Sequence, residues 1–302
     1  MTVPTGGGAS TQDALIRAMP VVFVLIWSTG FIVARYGVPH SPPLKFLAVR
    51  YILSALCLVA WAAWARAAWP ADRTQWKHLA ITGVLMQAAY LGGVWVAIGL
   101  GAGAGVSAML VGLQPVLTAW WLSSRGGHVS ARQWAGLVLG FAGLLLVVSH
   151  KLGQGEVTAA NLTSLVIALV GITAGTLYQK RYVAPCDVRT ASAVQMLAGL
   201  AVTLPLTLLE PRGVNVNAEY AAAMAWSVLG LTLGGSSLLY LLIQRGAAAS
   251  VSSLMYLVPP CTATLAWLLF DEPITAWTVT GMVLTAVGVA LVVRPPATKA
   301  TG

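Results

Sequence analysis

Residues 136–148 read GLVLGFAGLLLVV, and residues 281–293 read GMVLTAVGVALVV. Gly136 falls on Gly281, Val138-Leu139 on Val283-Leu284, Gly143 on Gly288 and Leu146-Val147-Val148 on Leu291-Val292-Val293, a shift of 145 residues. The same ungapped shift carries Val106-Ser107 onto Val251-Ser252, Pro115 onto Pro260 and Gly101 onto Gly246. It also places Gly30 on Gly175, Arg35 on Lys180 and Ala48-Val49 on Ala193-Val194. Apolar chains match by chance at Leu, Val and Ala. Chance does not align proline, glycine and basic positions in one register, so the chain reads as an internal duplication.

Both copies are written for lipid. Of 302 residues 58% are apolar and 8% are charged, against about 25% charged in a soluble globular protein. A water-soluble enzyme, a disordered chain and a secreted disulfide scaffold are excluded on that ground. A spanning helix takes about 20 mostly apolar residues. Such runs fall at 18–36, 44–66, 77–99, 103–123, 131–150, 160–181, 189–209, 219–243, 248–270 and 275–293. The first run follows Arg17 but extends to Ala34 without an A-x-A-like cleavage site, so it reads as a membrane helix rather than a signal peptide. The expected fold is an all-α membrane protein of ten transmembrane helices in two repeats, 18–150 and 160–294. A disordered cytoplasmic N-terminus (1–17) and a cytoplasmic tail (295–302) flank them.

Five spans per repeat is an odd number, so the second repeat must face the opposite way. The charges agree: Arg125 and Arg132 follow the fourth span, whereas Asp271 and Glu272 follow the ninth. Of the 17 Lys and Arg, Arg50 lies within a span and Arg35, Lys45, Lys151 and Arg212 flank one side, leaving twelve for the other. Basic residues are retained in the cytoplasm, which puts both termini inside a multi-pass protein of the inner (plasma) membrane. Inverted repeats are the architecture from which many secondary transporters obtain alternating access.

The eight acids and four histidines all fall at helix ends or in loops. The spans therefore hold no carboxylate pair, no HExxH and no metal cluster, and neither an enzyme activity nor a cofactor is expected. Cys57, Cys186 and Cys261 have no metal-knuckle spacing. The run Gly99-x-Gly101-x-Gly103-x-Gly105 follows a helix rather than a strand and reads as a tight turn, not a phosphate loop. The net charge of +9 is scattered between apolar runs, so the expected partners are a small-molecule substrate and the bilayer, with no nucleic acid.

Arg50 is read either as a contact for an acidic substrate group or gating carboxylate, or as a side chain snorkelling to the outer interface. Amide, hydroxyl and indole groups inside the spans need a partner or a wet cavity. Trp27, Ser28, Gln87, Tyr90, Trp95, Gln114, Tyr178, Ser236, Tyr240 and Tyr256, with Arg50, form the candidate substrate cavity. Pro115 and Pro260 occupy matching mid-helix positions and read as hinges or static kinks. Gly136, Gly140, Gly143, Gly281 and Gly288 form small faces suited to close helix contact or to a homodimer.

Several of these segments resemble a known family. Trp27-Ser28-Thr29-Gly30-Phe31, Phe46-Leu47-Ala48-Val49-Arg50-Tyr51, the Pro115 and Pro260 helices and Leu269-Phe270-Asp271-Glu272-Pro273-Ile274 are similar to the signatures of EamA-type transporters of the drug/metabolite transporter (DMT) superfamily. The resemblance covers residues 18–294 as two EamA repeats. It implies ten helices around a central cavity lined mainly by the first, third, fourth, sixth, eighth and ninth, and export of small metabolites such as amino acids. Glu272 matches the acidic position of the family's last loop, whereas Gly127 stands at that place in the first half. The expected function is a secondary transporter, in the export direction, working by facilitated movement or exchange. The alternatives are an antiporter of phosphorylated sugars or nucleotide sugars, which would favour several basic cavity residues, and a non-transporting membrane sensor or scaffold.

Overall fold

A computed structural model describes residues 11–126, 130–153, 156–235, 237–238 and 257–293, and among these there is helix but no strand. In chain order the helices are α1 (Thr11–Gly37), α2 (Pro43–Trp64) and α3 (Arg73–Gly99), then α4 in two pieces (Ala104–Val111 and Gln114–Ser124). There follow α5 (Ala131–Gly153), α6 (Ala159–Tyr182) and α7 (Val188–Leu206), which ends in a 3₁₀ turn at Thr207–Leu209. Next come α8 (Ala218–Ala225, continuing as Trp226–Gly235), α9 (Val258–Phe270) and α10 (Ala276–Val293). Six helices among the described residues are long and apolar enough to cross a membrane, and shorter apolar helices accompany them. Leu56, Trp64, Val138 and Leu208, each more than 60% exposed, lie on outer faces where lipid would cover them.

Local chemistry sets the helix starts, and the starts repeat. Pro43 and Val188, Arg73 and Ala218, and Ala131 and Ala276 are first residues of helices, each pair 145 apart. Their caps correspond as well. Asp72 accepts from Thr74 N–H at the head of α3, and Asn217 accepts from Tyr220 N–H at the head of α8. Ser130 bonds Gln133 before α5, and Thr275 bonds Thr278 before α10. α9 ends on Asp271 in the left-handed region (φ 54°), and Gly101 (φ 93°) makes the turn after α3.

Two departures from regular α-helix interrupt the rods. Val84–Leu91 of α3 and Trp226–Gly235 of α8 are wound as π-helix, at corresponding places in the two halves. α4 breaks at Gly112-Leu113, so Pro115 sits in the first turn of its second piece, where a missing N–H costs little. Pro259 and Pro260 likewise sit in the first turn of α9. Pro115 thus follows a break inside the span Ala104–Trp121, and Pro260 lies early in the described part of α9.

The most extensive helix contacts are α5 against α10 and α3 against α6, and α2 packs along α7. In the first, a Cβ on Gly136 would collide with Gly288 O, and one on Gly143 would collide with Gly281 O. These are images of one contact under the 145-residue shift. The small faces therefore meet within the chain rather than at a homodimer seam. The core forms two clusters, one around Phe46, Tyr51 and Trp95 with residues of α1–α4 and α6–α9, the other around Met109, Leu113 and Val147 with residues of α3, α4, α5, α6 and α10.

Candidate functional site

Arg50 is the one basic residue of the sequence inside a span, and the structure buries it. It lies seven residues beyond the start of α2, about 10 Å along the axis, with 7% of its surface exposed. It does not snorkel. Its Nη2 donates to Thr232 Oγ1 of α8 at 3.4 Å, and Ser54, one turn on, donates to the same oxygen at 3.3 Å. Thr232 in turn donates to Ser227 O at 3.0 Å, the i−5 reach that a π-wound segment provides. Arg50 Nε and Ser227 Oγ are buried with no partner.

The other proposed cavity residues lie around several helix contacts. Tyr90 lies in the π-wound part of α3 and packs its backbone against Gly171 of α6. The Tyr51 hydroxyl donates to Gln87 O at 2.8 Å, tying α2 to the π-wound part of α3, while the Gln87 side chain abuts Gly199 of α7. Trp95 is fully buried and stacked on Phe46 (centroids 4.4 Å apart), so it is core. Trp27 packs at a tilt against Phe23 on α1, and Ser28 is fully buried, its carbonyl accepting from Thr262 of α9. Gln114 donates to Thr176, joining α4 to α6, and Tyr178 shares a 2.8 Å hydrogen bond with His78 of α3. Ser236, Tyr240 and Tyr256 lie outside the described residues. Gln87 is thus tied to α2 through Tyr51, the neighbour of Arg50, with Gln114 and Tyr178 on other contacts.

The sequence reading missed Ser54, Ser227 and Thr232. Ser54 is four residues from Arg50 on one helical face, and Thr232 is the image of Gln87 under the 145-residue shift, so both left a readable signal.

A second polar constellation lies at one end of the molecule. Glu272, after α9, accepts from Ala104 N–H at the head of α4 (3.1 Å), and Arg35 at the end of α1 stands 3.9 Å away. Glu156 is held by Lys151, with Nζ 2.7 and 2.8 Å from its two oxygens. Both carboxylates press on Gly103, where a Cβ would collide with Glu156 and approach Glu272 Oε2 to 2.9 Å. Tyr36 and Phe270 pack beside this cluster at 4.7 Å. At the same end Glu210 accepts from Leu44 and Lys45 N–H, 3.0 Å each, at the head of α2, and Arg212 donates to Val38 O. Glu272 and Glu210, both of the second half, each meet the positive end of a helix of the first half. Arg35, Lys45, Lys151 and Arg212 all gather here.

The family model described as the EamA-like transporter family matches residues 18–149 and again 160–294. An uncharacterized transporter of Archaeoglobus fulgidus is 25% identical over 89% of this chain and 93% of its own length. The uncharacterized inner membrane transporter YedA of Escherichia coli K12 is 24% identical, covering 87% and 86%. An Escherichia coli K12 protein named probable amino-acid metabolite efflux pump is 22% identical, covering 92% and 94%. One solved crystal structure shares the fold at a TM-score of 0.60 and 16% identity, covering 92% of this chain and 96% of that one. With both halves matched, the chain is a multi-pass membrane protein that belongs to the EamA-like transporter family, within the DMT superfamily.

Proposed function

We propose that this protein is a secondary transporter that exports small organic metabolites such as amino acids by alternating access. Two inverted five-helix repeats, 18–150 and 160–294, rock about a shared polar interior. The observation that carries the reading is the repeated framework: helix starts, caps and glycine contacts recur at one shift. Inversion is supported by α4, because Glu272 binds its first residue whereas Gly126 follows its last. The loops after α4 and α9 therefore occupy opposite ends of that helix.

With both termini cytoplasmic, the Glu272–Arg35–Ala104 cluster lies on the external face and holds α9 against α4 and α1. This arrangement is closed to the outside. Pro115, after the break in α4, and Pro260, early in the described part of α9, are the hinges on which the gate helices turn. The substrate class is supported by the relatives named as amino-acid metabolite efflux pumps. Export runs by facilitated movement or exchange. The deciding experiment is counterflow of a radiolabelled amino-acid panel by purified protein in liposomes. At least one labelled amino acid is expected to accumulate against its unlabelled form, with a proton ionophore leaving the rate unchanged. Binding without flux for every compound would leave a sensor, and ionophore-sensitive counterflow would require proton coupling.

A further inference from the structure

We infer that Arg50, with the hydroxyls of Ser54, Ser227 and Thr232, forms the site that takes the carboxylate of the transported compound. The inference rests on the transporter reading and names the group recognised.

An arginine stays charged under all physiological conditions, and a charge in the membrane interior needs a partner. Among the described residues no acidic side chain pairs with Arg50. Asp72, Asp187, Glu156, Glu210, Glu219 and Glu272 bind helix heads, Arg189, Lys151 or His40 at the ends of the molecule. The groups that do reach Arg50 are neutral hydroxyls. Thr232 Oγ1 is saturated, accepting from Arg50 and Ser54 and donating to Ser227 O. Among the described residues two buried groups here remain unmet: Arg50 Nε–H, which can only donate, and the Ser227 hydroxyl, which is free to donate. Unmet donors beside an uncompensated cation call for an anionic acceptor, and a planar carboxylate matches a guanidinium edge with two hydrogen bonds. The site also lies against α8 where its winding is π, a geometry that concentrates at functional sites.

A carboxylate could be supplied by the cargo, or an inorganic anion such as chloride could fill the same chemistry. The two are separated by thermal unfolding of the full chain in nanodiscs while sodium acetate or sodium chloride replaces sodium sulfate at fixed ionic strength. Acetate is expected to raise the midpoint of the wild type and chloride to leave it unchanged. Arg50→Gln should weaken the acetate response about 10- to 100-fold. Ser227→Ala, which leaves the charge in place, should weaken it about 2- to 10-fold, and Arg50→Lys should retain part of it. An acetate response equal in wild type and R50Q overturns the inference, as does a chloride response that depends on Arg50. In liposomes, amino-acid counterflow should be lost on replacing the carboxylate by its amide. Counterflow by wild type and R50Q at equal apparent affinity would sink the inference and leave the transporter standing. Arg50-dependent acetate binding without counterflow of any compound would instead sink the transporter reading.

Discussion

Glu272 sits where a carboxylate is worth most, against the unsatisfied N–H groups of a helix start and beside a guanidinium. Glu272→Gln keeps an acceptor and removes the charge, costing about 1 kcal/mol and enlarging an externally open population about 5-fold. A cysteine placed at Gly105, beside Ala263 and Glu272, should then react several-fold faster with a membrane-impermeant maleimide in a cysteine-free background. Unchanged labelling would detach Glu272 from gating. Asp187, the cap of α7, is held below the usual carboxylate range by its hydrogen bond to Arg189. A carboxylate depressed in the folded state contributes stability above its unfolded value of about 3.9, and that contribution is lost as pH falls through the folded value. Asp187→Asn should thus unfold earlier than wild type at neutral pH, with the two midpoints converging in acid. Arg50 was legible in the sequence as the lone charge within a span. Its contact with Thr232, 182 residues away, was not, because the register that marks Thr232 as the image of Gln87 says nothing of which helices touch. Glu210 and Glu272 were visible only as loop acids, since capping is a matter of what a loop is folded against.

The helices themselves were largely legible. The apolar run 44–66 became Pro43–Trp64, and the run 131–150 became Ala131–Gly153. What a hydropathy scan could not register is a change of winding, since π and α turns of the same apolar residues have the same composition. The π segments of α3 and α8 and the break at Gly112-Leu113 were hidden for that reason. The glycines of α5 and α10 were visible, but two outlets for a small face, another helix or another molecule, cannot be told apart from one chain's sequence. Gly143→Leu tests the outlet found here. The side chain would enter Gly281 and Thr285 of α10, and overpacking of this kind costs about 1–3 kcal/mol. A lowered unfolding midpoint in detergent at unchanged oligomeric mass is expected. A wild-type midpoint would mean that the two helices do not approach so closely.

Inversion makes a molecular prediction that needs no cargo. Reporter tags at residues 126 and 271 should appear on opposite sides of the bilayer, with 126 cytoplasmic, and tags on a common side would dismantle the architecture. The 145-residue register carried this much because duplication leaves its mark on every helix at once. Side-chain constellations leave no such mark, which is why the polar cluster at one end emerged only in three dimensions. The pairing of α2 with α7 and α5 with α10 has one more implication. Each helix there rests on its own duplicate, so exchanging the roles of the halves returns those two seams to themselves. Damage to them would reduce how much protein survives in the membrane while leaving the balance between inward and outward forms untouched. Variants that bias direction should map instead to seams joining unlike helices, such as α9 on α4.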